Sequence, residues 1–515
     1  MTKTETMPAA ASGCEPDIVR RTRGAGFLKV LGAMCLVTLV SGCVVGPDYR
    51  KPIVNMPLHW GNRKPQKVEK PAQLGEWWKR LNDPLLDALV DEAVAGNLDV
   101  ATAKAKVREA RASYRQAVGT LLPSASGSAA ATRNRSAASV SGASATYNRF
   151  QSGLDASWEI DLFGANRRSV EAARYGMDAA EEDLRNTLVT LIGDVATNYV
   201  QARGYQARIA LARRTAASQR ETAKLTRNKF EAGTSSAVDL SNATGQAATT
   251  EANIPDLEAS YAEAVHRLSV LTGRAPAALA DRMRQVKRVP KPKLPIPTGI
   301  PADILLTRPD VRLAERQYAQ YTAKVGQAEA ARYPSLSLTG NIATTGTKIG
   351  DLGKSSTISW SFGPSLSVPI FNGGQLKAAV EVAQAQRDQY FIAYRASILT
   401  ALEDVENAIV SLAQERIKSG KLASAAQQYA KAASLGRSLY QSGSQSFLDL
   451  LEAQRSLYSA EDSLIESQVA ITTDYIALNK ALGGGWDGMI DVSKPEVVDV
   501  NTGPHIVARR DTAKP

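Results

Sequence analysis

The chain repeats itself about 210 residues on. Asn97-Leu98-Asp99-Val100 is answered by Arg308-Pro309-Asp310-Val311, and Leu122-Pro123-Ser124 by Tyr333-Pro334-Ser335. Asp161-Leu162-Phe163-Gly164 returns as Pro369-Ile370-Phe371-Asn372, and Phe230-Glu231-Ala232-Gly233 with Asp239-Leu240 returns as Tyr440-Gln441-Ser442-Gly443 with Asp449-Leu450. So little slippage makes each half one structural unit set beside its twin. The repeats are assigned to residues 97–273 and 308–484. Residues 43–96 precede them as an N-terminal segment, a Pro-rich connection at 274–307 joins them, and 485–515 form a polar tail.

Only 6% of the 515 residues are aromatic. With abundant Ala, Ser, Gln, Glu and Arg, this is the composition of long helices with small contact residues. The net charge of +11 is spread along the chain with no basic cluster or aromatic interleaving, so it reads as solvated helix faces and not as a nucleic-acid surface. Cys14, Cys35 and Cys43 all lie near the start. The rest of the chain therefore has no internal disulfide and no cysteine metal site.

Arginines 20, 21 and 23, the apolar run 27–40 and Ser41-Gly42-Cys43 have the layout of a secretory signal, which places residues 1–42 in a leader. Leu39-Val40-Ser41-Gly42-Cys43 also resembles a bacterial lipobox. The resemblance implies that Cys43 becomes the first mature residue and carries covalent lipid, S-diacylglycerol on its thiol and an N-acyl chain on its amine. Multiple acylation gives stable anchoring. Val44 follows instead of Asp, which in such signals favours the outer membrane. Ordinary cleavage leaving a free cysteine is the alternative.

Residues 166–229 read as one helix, with Leu184, Leu188, Leu191, Val195 and Tyr199 at three- and four-residue spacing. After Gly233, Leu240, Ala247, Ile254, Tyr261 and Leu268 recur every seven residues, and Leu450, Leu457, Leu464, Ile471 and Leu478 do the same in the second half. A heptad period in equivalent places predicts coiled-coil helical hairpins turning near Gly233 and Gly443. A soluble helical bundle would explain these heptads equally well. Pro255 predicts a kink or break.

Other segments refuse the helical reading. Ile358, Trp360, Phe362, Leu366, Val368 and Ile370 alternate with serines, and Leu154, Ala156, Trp158 and Ile160 alternate with Asp155, Ser157 and Glu159. Strict alternation predicts strands with one apolar and one polar face. The strands are placed near 121–132 and 150–163, and near 334–345 and 357–371, with hairpin loops at 133–146 and 343–356. Four such strands cannot close a barrel, and an open edge is not viable in lipid. Three chains would supply twelve strands, an even count that suits an outer-membrane barrel. A four-stranded sheet packed on helices in a soluble domain is the alternative.

Cys43-Val44-Val45-Gly46-Pro47-Asp48-Tyr49, Trp77-Trp78 with Asp83-Pro84-Leu85, and 300–305 with Arg308-Pro309-Asp310-Val311-Arg312 resemble the TolC-like outer-membrane factors, the lipoproteins of tripartite efflux systems. The resemblance covers nearly the whole mature chain. It implies an α+β membrane protein and a homotrimer, in which a twelve-stranded outer-membrane β-barrel continues into a periplasmic coiled-coil α-barrel. Its partners would be outer-membrane lipid, a periplasmic adaptor (membrane fusion protein) and an inner-membrane RND-type transporter. The implied function is a passive exit duct for small molecules. Type I secretion, or a lipid-anchored scaffold without a pore, remains open.

By the same resemblance Leu448, Asp449 and Glu452 match a periplasmic gate, where threefold symmetry would make each acid a ring. Exposed helix residues without that role are the alternative. Tyr440, Gln445 and Asp239 match tip contacts, with Gln445 departing from the family's arginine. The turns at Gly233 and Gly443 match adaptor contacts. Catalytic readings find little: His59, His266 and His505 are isolated and lack metal-ligand spacing, so no metal is expected. Gly483-Gly484-Gly485 lacks the Lys-Ser/Thr of a phosphate loop and reads as a helix end. No cofactor is expected beyond the lipid.

Overall fold

The computed structural model describes residues 44–54, 74–137, 144–292 and 302–490. Cys43, the leader and the tail beyond residue 490 lie outside this set. The chain forms two compact units, a sheet unit built on residues 123–165 and 333–370 and a helical unit holding the remainder beyond Val45.

In the sheet unit, β1 (Ser124–Arg135), β2 (Thr146–Ile160), β3 (Ser335–Gly346) and β4 (Ile358–Ser367) follow one another in an antiparallel meander. The central pair joins the two repeats, Leu154 opposite Ile342 and Trp158 opposite Leu338. Alternation puts Leu154, Trp158, Ile342, Trp360, Phe362 and Leu366 on one face, and all six are solvent-exposed in the single chain. The other face is hydroxyl-rich: Asp155 accepts a 2.6 Å hydrogen bond from Asn341, and Ser337 and Thr339 donate across to β4. β1 and β4 each have one unpaired edge. At the base, the Val45 amide donates to Phe163 at 3.1 Å, and Phe163 stacks on Tyr333 at 4.8 Å. Gly164 has φ +85°, and a Cβ there would overlap Val44, so glycine permits this approach.

Strand ends differ from the expectation. β1 starts three residues later than its apolar content suggested and continues through Thr132-Arg133-Asn134-Arg135, which pair with Arg149, Asn148, Tyr147 and Thr146. Polar residues form strand there because cross-strand hydrogen bonds satisfy their backbone.

In the helical unit, α1 (Pro84–Gly96) and α2 (Leu98–Gly119) lead to α3 (Ala165–Glu231) and α4 (Ala237–Leu271). The second repeat supplies α5 (Pro309–Ala330), α6 (Gln375–Ser442) and α7 (Phe447–Ala481). At 67 and 68 residues, α3 and α6 each extend roughly 100 Å. Pro255 breaks nothing: α4 is continuous through it, with Ile254 and Leu257 packed around Ile209 and Ala212 of α3. Tertiary packing overrides a local cost of about 3 kcal/mol.

Equivalent positions close each repeat by different chemistry. Asn97 caps α2 through its Oδ1 and donates Nδ2 to the Leu271 carbonyl at the end of α4 (3.0 Å). Arg308 donates to the Ala481 carbonyl at the end of α7 (2.7 Å) while forking onto Asp310. Both satisfy a helix-end carbonyl that would otherwise lack a partner.

A core gathers where α1, α2, α3 and the end of α7 meet. Trp77 and Trp78 are buried edge to face, with Tyr475 beside Trp77. The glycine run folds around them: Gly485 has φ +108°, and a Cβ on it would press against the Trp77 indole nitrogen. Gly483, with φ +74°, ends α7 as the sequence predicts, and the close approach to Trp77 accounts for Gly485. Arg203 is fully buried here, donating to Gln206 Oε1 and the Gln285 carbonyl at 2.7 Å each and to the Tyr199 hydroxyl at 3.1 Å. Tyr199 in turn donates to Asp83 at 2.5 Å. Burial, then the Asp83 hydrogen bond, hold the Tyr199 phenol well above its ordinary range, so it stays a neutral donor.

Candidate functional site at the hairpin tips

Both hairpins turn by one device. Gly233 has φ +74° and Gly443 φ +81°, and the following amides reach back, Thr234 to the Lys229 carbonyl (2.8 Å) and Ser444 to the Leu439 carbonyl (2.9 Å). This is the Schellman closure that glycine allows. The next helix then starts on a serine cap in each repeat. Ser236 Oγ accepts from the Asp239 amide (3.0 Å), and Ser446 Oγ from the Asp449 amide (3.3 Å).

The two acids are thereby occupied locally. Asp239 accepts from the Ser236 amide and Ser235 Oγ, both at 3.1 Å. Slight burial pushes its carboxyl up, but the hydrogen bonds from Ser236 and Ser235 outweigh that and hold it below the usual carboxylate range. Asp449 accepts 2.8 Å from Ser446 Oγ.

What the repeats do not share is the first turn after the cap. In α7, Phe447, Leu450 and Leu451 are buried, clustered with Tyr440 and with Ala243 of α4. On the opposite face Leu448, Asp449 and Glu452 are all exposed, and the spacing of one, three and four residues makes them one patch. In α4 the equivalents are exposed Val238 and Asn242 with half-buried Asp239, a face with one acid fewer.

Tyr440 connects the repeats. Its hydroxyl donates to Thr226 of α3 (3.0 Å), and Lys229 of α3 donates to its carbonyl (2.6 Å) with the ammonium 4.7 Å from the ring centre. Nearby, Arg437 pairs with Glu221 (2.7 Å) and Gln454 donates to Thr222 (2.9 Å). Further along, Arg208 of α3 forks onto Asp462 of α7 at 2.7 and 2.9 Å and also reaches Glu466. Gln445, uncharged, is half-buried near Gly436. Sequence reading missed Thr226, Lys229 and the Arg208 fork. Their partners are more than 200 residues away, and nothing local marks them.

His266 is exposed on α4, while His59 and His505 lie outside the described residues. Among the described residues no group of His, Cys, Asp and Glu could hold a metal ion, and no helix is long and apolar enough to cross a membrane.

A sheet with an exposed apolar face, joined in one chain to paired hairpins of such length, defines the subunit of a membrane channel whose barrel is β. Comparison with known proteins makes this specific. The model for the outer membrane efflux protein family matches residues 89–274 and 300–484, and the chain belongs to that family. Nodulation protein T of Rhizobium leguminosarum bv. trifolii is 34% identical over 87% of this chain and 96% of its own. The solvent efflux pump outer membrane protein SrpC of Pseudomonas putida is 34% identical over 88% and 97%. The solved structure of the outer-membrane channel OprN superposes with a TM-score of 0.80 at 33% identity, over 86% of this chain and all of that one. The protein is thus an outer-membrane channel component of an efflux system, reaching into the periplasm, as the resemblance implied.

Proposed function

We propose that three copies close their sheets into one twelve-stranded barrel and form a passive exit duct for small molecules. The observation that carries this is the four-stranded sheet, whose exposed apolar face suits lipid and whose two unpaired edges are not stable there until neighbours pair β1 with β4. A second support lies on α6. Val382, Ile392, Leu399, Val410 and Ile417 are all more than half exposed, on faces away from the buried Tyr394, Ile398 and Val405. Energy comes from an inner-membrane RND-type transporter through a periplasmic adaptor seated at the Gly233 and Gly443 turns. The small-molecule cargo agrees with the solvent pump to which SrpC belongs.

Cys43 carries the S-diacylglycerol and N-acyl chains in this reading. Native mass spectrometry of the protein extracted from outer membranes is expected to show a trimer of chains starting at acylated Cys43. A monomer, under conditions that keep known membrane trimers intact, would overturn the shared barrel.

Leu448, Asp449 and Glu452 form the resting gate. In a trimer each acid becomes a ring of three, whose mutual repulsion in a confined space favours cations. The double variant D449A/E452A is expected to change resting conductance and reduce cation preference in planar bilayers. D449A also removes the carboxylate that accepts from Ser446 Oγ in the first turn of α7, so D239A, which removes the corresponding first-turn carboxylate of the first hairpin, is the control and should leave conductance unchanged. Recordings identical to wild type for the double variant would remove both acids from the gate.

A further inference from the structure

An unassigned charge stands at the loop end of the sheet. From Ser124 to Leu154 the chain has three arginines, Arg133, Arg135 and Arg149, and no acid. Register separates them. Arg133 pairs with Asn148 and Arg135 with Thr146, on the apolar face that carries Phe150, Leu154 and Trp158, whereas Arg149 pairs with Thr132 on the hydroxyl-rich face. Arg133 and Arg135 are exposed. Lys354, another cation at this end, is committed to Asp351 at 2.7 Å.

Below the two arginines, the same face of β1 reads Ala131, Ala129, Gly127 and Ala125. Beside it on β2 stand the bulkier Phe150 and Leu154, so the small residues floor a shallow trough that ends in two positive charges. The height of that end follows from the anchor. Val45, two residues after Cys43, is bonded to Phe163 at the opposite end of the sheet. Arg133 and Arg135 lie nine and eleven residues along β1 from Ser124. At about 3.4 Å per residue and a tilt of about 35–45°, this is roughly 22–30 Å of height, the thickness of the apolar band. With the acyl chains of Cys43 in the periplasmic leaflet, the arginines reach the headgroups of the outer leaflet.

We propose that Arg133 and Arg135 bind the phosphorylated headgroup of an outer-leaflet lipid whose acyl chains lie on the Ala/Gly strip of β1. Guanidinium forks match phosphate oxygens two at a time, and two of them on alternate residues face the same headgroup. The inference rests on the trimeric barrel, in which the neighbouring copy's β4 walls the other side of the trough.

The test is thermal unfolding of the trimer in mild detergent, titrated with bisphosphorylated lipid A, with the same lipid stripped of phosphate, and with inorganic phosphate. Only the first is expected to raise the melting temperature of the wild type appreciably. R133Q/R135Q should melt at the same temperature without lipid yet need about ten- to a hundredfold more lipid A for the same shift, as expected for losing charge-assisted bonds. R133K/R135K should keep part of the response, and R149Q, altered on the other face, all of it. Equal responses to the dephosphorylated lipid or from R133Q/R135Q would overturn the proposal. So would an equal response to inorganic phosphate, which would mean a free-anion site. Native mass spectra of the same samples separate the two readings. A monomeric wild type sinks the barrel and this site together, whereas a trimer indifferent to phosphate sinks only the site.

Discussion

Trp360→Arg is expected to prevent stable insertion, while Ser361→Arg, one residue further, is expected to be tolerated. Both positions are exposed in the single chain, Trp360 at 76%. Burial within one chain would therefore rank them alike. The difference comes from the strand's alternation: Trp360 shares its face with Phe362 and Leu366, and Ser361 pairs with Asn341 on the hydroxyl-rich face. An arginine on the lipid side of a barrel costs about 2–4 kcal/mol near the midplane, and threefold symmetry applies that cost three times. An arginine facing the lumen meets water and alters only the charge of the passage. The check is the amount of each variant in washed outer membranes and its recovery as trimer. Equal recovery of the two would mean that the apolar face does not meet lipid.

Arg203→Ala is expected to cost the helical unit several kcal/mol, at about 1–3 kcal/mol for each buried polar group left without its partner. The side chain is fully buried, and its removal leaves Gln206 Oε1 without its buried donor and takes donors from the Tyr199 hydroxyl and the Gln285 carbonyl. Arg203→Lys would restore charge without the planar fork that reaches three groups at once, so it should recover only part of the stability. Denaturant midpoints compared at equal slope measure this. A loss below about 1 kcal/mol for the alanine variant would mean that solvent enters and replaces the arginine.

The parts of this architecture that were legible in the sequence are those whose signal is periodic and local. Ile358, Trp360 and Phe362 against Ser359 and Ser361 name a strand and its faces without reference to anything distant. The heptads from Leu240 and Leu450 name the hairpins in the same way. Arg133, Asn134 and Arg135 carry no strand signal of their own because their strand depends on partners at 146–148. Pro255 does not break α4, because propensity weighs one residue whereas α4 is held by a whole face of contacts. At the tips, the turns at Gly233 and Gly443 followed from glycine standing between two helical periods. The Tyr440 link to Thr226 and Lys229 did not, since pairing across 211 or more residues leaves no mark on neighbouring positions.

Asn97 and Arg308 bear on how such a chain avoids assembling wrongly. A protein that contains the same hairpin twice, in a complex that contains it six times, has many nearly equivalent ways to dock a helix end, and exchange between copies is the typical error of repeated chains. The two closures are not interchangeable. Arg308 needs the Asp310 and Asp404 carboxylates with the Ala481 carbonyl, and an asparagine in its place would leave both acids without their cation. Arg308 set against the end of α4 would in turn be buried away from Asp404. Divergence at one matched pair of positions thus gives each half a closure that fits its own last helix and not the other's.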